Sequence, residues 1–186
     1  MRNRTMAIGV FVTGLSVVAM AQTMAQRAPA GTGQPVTEAL RSAWDGAKKN
    51  IKESADVMPE ANYEFKPAAD VRSFGAILAH LAGANYEFCG AAKGEKAPHA
   101  EDEFEKSATT RPAIIKALAD SLTYCDAAFA TATDRTLGDM VDMPFGMPRA
   151  ARASALLGEI GHMNEHYGNL VTYFRIKGIV PPSSRR

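Results

Sequence analysis

The sequence predicts an all-α domain built as a four-helix bundle. Three observations lead there: four segments place apolar residues three and four apart, none alternates convincingly in the manner of a strand, and Pro or Gly marks where segments start and stop. With 186 residues, 46% of them hydrophobic, the chain can build one core of ordinary size, and a second full domain is not expected.

In chain order, residues 1–21 read as a signal peptide. Arg2 and Arg4 form a basic start, an uncharged run reaches Val18, and Ala19-Met20-Ala21 supplies the small-x-small pattern of a signal peptidase site. That run falls short of the ~20 apolar residues of a spanning helix, so a retained anchor is the weaker alternative. The expectation is an exported protein, periplasmic or secreted, with no stable membrane insertion after cleavage. Losing residues 1–21 moves the formal net charge from +1 to −1, and so neutral a surface argues against nucleic acid as a partner. Residues 22–34, rich in Ala, Gly, Gln and Thr, read as a flexible tether before a bundle at 35–183. A frayed tail at 184–186 is expected to follow it.

The first helix starts at Pro35, whose missing N–H is harmless in a first turn. Its stripe is Val36, Leu40, Trp44, Ala47, Ile51 and Met58, and Pro59 stops it. The second spans about 71–92 with Phe74, Ile77, Leu81, Ala84 and Phe88 in a bundle-type seam. Residues 93–110 are charged, carry Gly94 and Pro98 and lack a periodic apolar set, so they read as a long crossover whose run 101–106 is a solvated loop. The third helix begins near Arg111-Pro112 and aligns Ile114, Leu118, Leu122, Cys125 and Phe129. Residues 134–148 are irregular, yet Met140, Val141, Met143, Phe145 and Met147 suit packing over the bundle. The fourth helix covers about 149–177 with Leu156, Ile160, Met163, Tyr167, Leu170 and Phe174, and Gly178 with Pro181-Pro182 stops it.

Four histidines are present, and His162 and His166 stand four apart. On a helix such residues are neighbours on one face, so their imidazoles can close on one ion. By helical wheel, His166 lies about 80° and His162 about 120° from the centre of the fourth helix's apolar stripe, and His80 about 80° from that of the second. All three flank a seam. Ala155 and Gly158, one turn before His162, leave room there for something other than a side chain. Three histidine ligands leave a tetrahedral position open for water or substrate, the pattern of catalytic zinc. The bland alternative is a set of half-buried histidines with ordinary hydrogen bonds. His99 lies in the charged loop and stays outside the site. Glu165 directly precedes His166 and points about 100° away, so the helix lacks the inter-histidine glutamate of zinc proteases. No carboxylate stands out as a general base; Glu159 and Asn164 are merely nearby, and catalytic residues stay unassigned.

Arg72-Ser73-Phe74-Gly75 leading into Ala79-His80-Leu81-Ala82-Gly83-Ala84-Asn85, and His162-Met163-Asn164-Glu165-His166-Tyr167-Gly168-Asn169 running on to Gly178-Ile179-Val180-Pro181-Pro182, resemble the DinB-like, damage-inducible four-helix-bundle proteins. The likeness covers about 37–183. It implies an up-down-down-up bundle, often a homodimer, with one divalent ion, zinc or nickel, held by one histidine of the second helix and two of the fourth. By motif position these are His80, His162 and His166. Members with an assigned activity include transferases or isomerases that use low-molecular-weight thiols, and a metal lowers a thiol's pKa. Export would separate this chain from the cytosolic thiol pool.

Cys89 and Cys125 bear on topology. If the second and third helices were antiparallel, Cys125 would lie about 20 Å further along the bundle than Cys89, out of reach of a bridge. If they are parallel, the two come level, and the crossover, which can extend ~60 Å, suffices to return along a ~30 Å helix. An oxidising compartment then permits a disulfide, with two buried thiols as the alternative. Two functions follow as expectations: a metal-dependent hydrolase or thiol-type transferase acting on a small molecule, or a non-catalytic exported module that binds the metal or a small ligand.

Overall fold

The computed structural model describes residues 33–185, so the expected signal peptide and most of the tether lie outside the described residues. Five helices carry the fold: α1 (Pro35–Val57), α2 (Phe74–Lys93), the single-turn α3 (Glu103–Ser107), α4 (Arg111–Thr131) and α5 (Arg152–Ile176). Among the described residues, no helix is long and apolar enough to cross a membrane.

Local chemistry sets the ends. α2 starts three residues later than the apolar pattern suggests, because Ser73 caps it by accepting from the Ala76 N–H at 3.2 Å. It ends at Gly94, whose left-handed φ of 75° suits a residue without a Cβ. Thr110 caps α4 in the same way through the Ala113 N–H at 3.4 Å, with Pro112 in the first turn.

Side-chain pairs fix the directions. Along α2 and α4 the pairings advance together, from Asn85 with Ser121 to Cys89 with Cys125, so these helices are parallel. Against α5 the order reverses: Phe74 meets Phe174 with ring centroids 5.4 Å apart, while Phe88 lies against Gly158. α1 runs antiparallel to α4, for Trp44 stacks on Phe129 at 4.8 Å and Arg111 donates to the Ala55 carbonyl at 3.3 Å. The bundle is therefore up-down-down-up. Trp44, Ile51, Phe74, Leu118, Met163 and Phe174 lie fully buried at its centre.

Parallel α2 and α4 require the crossover to travel back along the bundle. It does so across Gly83, where a Cβ would collide with the Glu101 carbonyl. The stretch expected as a solvated loop thus packs on α2 and forms α3.

Several expectations are corrected. Val36 is 55% exposed and Thr37 takes its buried place. The reason is Asp134, whose carboxylate accepts from the Thr37 N–H at 2.7 Å and its hydroxyl at 2.6 Å. Gln34, assigned to the tether, accepts from the Asp134 N–H at 3.3 Å and belongs to the bundle. Residues 134–148 bury Leu137 and Val141 but expose Met140, Phe145 and Met147. Here β1 (Met140–Val141) pairs antiparallel with β2 (Ala150–Ala151), a short ribbon that the apolar pattern does not announce. The tail is held as far as Arg185: the Ser183 N–H donates to the Tyr167 hydroxyl at 2.8 Å, and Arg185 Nε donates to the Val180 carbonyl at 3.1 Å.

Candidate metal centre

His80 faces α5 from the second turn of α2, and the antiparallel course of α5 brings two successive turns, those of His162 and His166, opposite it. The three rings point Nε2 at one another. His162 Nε2 lies 3.1 Å from His80 Nε2 and 3.1 Å from His166 Nε2, and the three ligand atoms lie within 4.8 Å of one another. A neutral ring nitrogen offers in its plane either one lone pair or one proton, so His162 Nε2 can satisfy one neighbour by hydrogen bonding but not both. A divalent cation can accept a lone pair from each. Zinc–imidazole bonds of about 2.0–2.1 Å in a tetrahedral site set nitrogens about 3.3 Å apart, close to the observed spacing. This three-histidine group is thus able to hold a metal ion.

Electrostatics agree. Burial, first of all, pushes each of the three imidazoles down to about 4, helped in every case by a neighbouring ring and by the Arg72 guanidinium. At neutral pH the rings are uncharged and their lone pairs are free for a ligand bond. Behind His80, Glu105 Oε1 stands 3.2 Å and Glu101 Oε1 3.6 Å from Nδ1, neither aligned closely enough to complete a hydrogen bond. Glu105 itself accepts from Arg72 Nε at 3.0 Å and Nη2 at 3.2 Å. Asn169 reaches to 3.4 Å from His166 Nδ1.

On one side the group opens to a cavity of about 620 Å³ lined by Arg72, Ile77, Glu165, His166, Asn169 and Tyr173, among others. On the other, Phe88 lies against His162 with ring centroids 5.6 Å apart, and Phe145 covers Phe88 at 5.2 Å. The room expected at Gly158 is taken: a Cβ there would come within 2.8 Å of the Phe88 ring. The open space lies at His166, not before His162.

The remaining candidates fall elsewhere. His99 sits 2.9 Å from Glu103 and against Tyr86, away from the centre. Asn164 donates back to the Ile160 carbonyl at 2.9 Å and takes no part. Glu159 is wholly buried, and its ligand oxygen lies within 4.8 Å of the Cys89 and Cys125 sulfurs. Those cysteines form a disulfide with Cα atoms 5.2 Å apart. Desolvation raises the Glu159 carboxyl to about 8, so it is protonated at neutral pH. With its amide nitrogen turned toward Glu159, Asn85 donates to Oε1 at 2.8 Å. Glu101 and Glu105 were not legible as part of the site. Nothing in the periodicity of a charged loop singles them out, and Gly83, over which their segment crosses, is a sign only once the crossover path is known.

An up-down-down-up bundle with three histidines converging from its second and last long helices defines a class of helical proteins with a candidate metal centre. The chain belongs to the DinB superfamily, whose family model matches residues 43–169. Among solved structures, a DinB-like protein from Bacillus cereus ATCC 10987 superposes with a TM-score of 0.66 at 19% identity, over 78% of this chain and 95% of that one. A DinB-like protein from Bacillus subtilis gives 0.61 at 20% identity, over 80% and 99%. A mycothiol-dependent maleylpyruvate isomerase gives 0.60 at 14% identity, over 72% of this chain and 60% of the isomerase. At these identities the likeness shows the fold alone. No curated protein matches the sequence.

Proposed function

We propose that the chain is an exported, metal-dependent enzyme, a hydrolase or thiol-type transferase, in which His80, His162 and His166 hold one zinc or nickel ion. The observation that carries this reading is His162 Nε2 lying 3.1 Å from two other ring nitrogens, an arrangement one shared cation satisfies. A bound divalent ion would supply Lewis acidity beside the cavity. The chain's own residues do the rest. Phe88 and Phe145 shield the ring of His162 from water on one side, and Arg72 and Asn169 offer donors to a substrate's polar atoms on the other. The fold shared with a mycothiol-dependent isomerase adds thiol adducts to the substrates worth testing.

The second reading is a non-catalytic binding module. It is favoured by the burial of Glu159 away from the cavity, which leaves the exposed Asp70 and Glu165 as the carboxylates of the cavity wall. A screen of the metal-loaded protein against thiol adducts, esters and amides separates the two. Turnover that disappears in His166→Ala supports the enzyme; stoichiometric metal without turnover supports the module. Export predicts that the mature chain starts at Gln22, which N-terminal sequencing of the secreted or periplasmic protein checks.

A further inference from the structure

α3 is a single helical turn in a long crossover, and it brings Glu105 to His80. Three features put it there. The crossover backbone lies on Gly83, one turn beyond His80 on α2, where any Cβ would collide with Glu101. Arg72 grips Glu105 with a two-pronged contact, Nε to Oε2 at 3.0 Å and Nη2 to Oε1 at 3.2 Å. The same Oε1 stands 3.2 Å from His80 Nδ1, a buried ring nitrogen with no hydrogen-bond partner of its own. Among the described residues, neither His162 nor His166 has a carboxylate within 4 Å.

We infer that Glu105 is a positioning residue of the metal centre: it accepts the Nδ1–H of His80, fixes the tautomer whose Nε2 lone pair faces the ion, and is itself aimed by Arg72. This inference rests on the three-histidine reading above. A histidine ligand whose outer N–H is held by a carboxylate is a stronger base and keeps its ring orientation, and losing such a partner commonly weakens metal binding about 10–100-fold. At 3.2 Å, Nδ1 and Oε1 already stand at hydrogen-bond distance, so the contact lacks alignment and not a closer approach of α3. Glu101, at 3.6 Å and without an arginine, is a comparator of equal charge.

The test uses the full-length protein and zinc alone, with affinity measured by chelator competition and geometry read from the visible spectrum of the cobalt-substituted form. Glu105→Gln is expected to bind zinc about 10–100-fold more weakly and to shift the cobalt bands, while Glu101→Gln changes affinity by no more than about twofold. Should Glu105→Gln fail to fold, Arg72→Gln reads the same chain of contacts. Removing a cation beside a dication would by charge alone tighten binding, so a weaker affinity in that variant identifies positioning. Unchanged zinc affinity and cobalt bands in Glu105→Gln overturn the inference, as does an equal loss in Glu101→Gln. A wild type that binds no zinc overturns the metal reading itself, a different result from either.

Discussion

Replacing Glu159 by Gln isolates the energetic effect of a carboxyl with no exposure to solvent. Burial raises its pKa to about 8 from an ordinary 4.5. Between those values the folded chain holds a proton that the unfolded chain has released, so stability falls as pH rises through the window. At pH 7 the gap from 4.5 is about 2.5 pH units, which at 1.36 kcal/mol per unit makes the wild type about 3 kcal/mol less stable than a group of the same shape that does not ionise. Gln is such a group, and its amide oxygen can still accept from Asn85. Urea melts of the chelator-treated protein should show Glu159→Gln more stable by up to about 3 kcal/mol at pH 7, with less than about 1 kcal/mol of that gain left at pH 5. The histidines act in the opposite sense: held at about 4 against 6.5, they withdraw stability as pH falls through that window in both proteins, so the comparison is made at fixed pH. A variant destabilised equally at both pH values would show the opposite: a carboxyl needed for its contacts and not penalised for its charge.

Other perturbations act on the metal centre, the disulfide and the packing behind His162. In His162→Ala, zinc at about 100 times the wild-type Kd should give none of the roughly 2.7 kcal/mol of stabilisation that the wild type gains, as followed by thermal melts. Replacing Cys89 and Cys125 together by Ser opens a link across 36 residues and should lower stability by about 4 kcal/mol in the chain-entropy view, while the intact mass of the wild type rises by two hydrogens on reduction. Gly158→Ala forces a methyl to within 2.8 Å of the Phe88 ring and should destabilise the fold by about 1–3 kcal/mol while shifting the His162 ring resonances; a neutral effect would show that Phe88 moves freely.

Much of this molecule is readable from the spacing of its apolar residues. The stripes of α4 and α5 hold without exception, from Ile114 to Phe129 and from Leu156 to Phe174, because each of these helices buries one face. α2 is different: it is buried nearly all round, so its seam states that it is central but not which side meets which partner. The convergence of the three histidines was legible because they sit at the edges of seams, where a wheel places them well, and because the two on α5 share one helix face. Val36 misled since periodicity cannot foresee that Asp134, almost a hundred residues away, draws Thr37 inward. Glu105 and Arg72 were hidden for a related reason. Their meeting depends on the path of a crossover, and that path depends on a collision avoided at Gly83, which no local pattern encodes.

Whether His80, His162 and His166 share one ion is read most plainly by X-ray absorption at the metal edge of the purified, zinc-reconstituted protein. One ion shared by the three rings gives about one zinc per chain with three imidazole nitrogens at about 2.0–2.1 Å and a light-atom fourth ligand, a signature that His166→Ala loses. No stoichiometric zinc, or a first shell of sulfur or with fewer than three imidazoles, would contradict it.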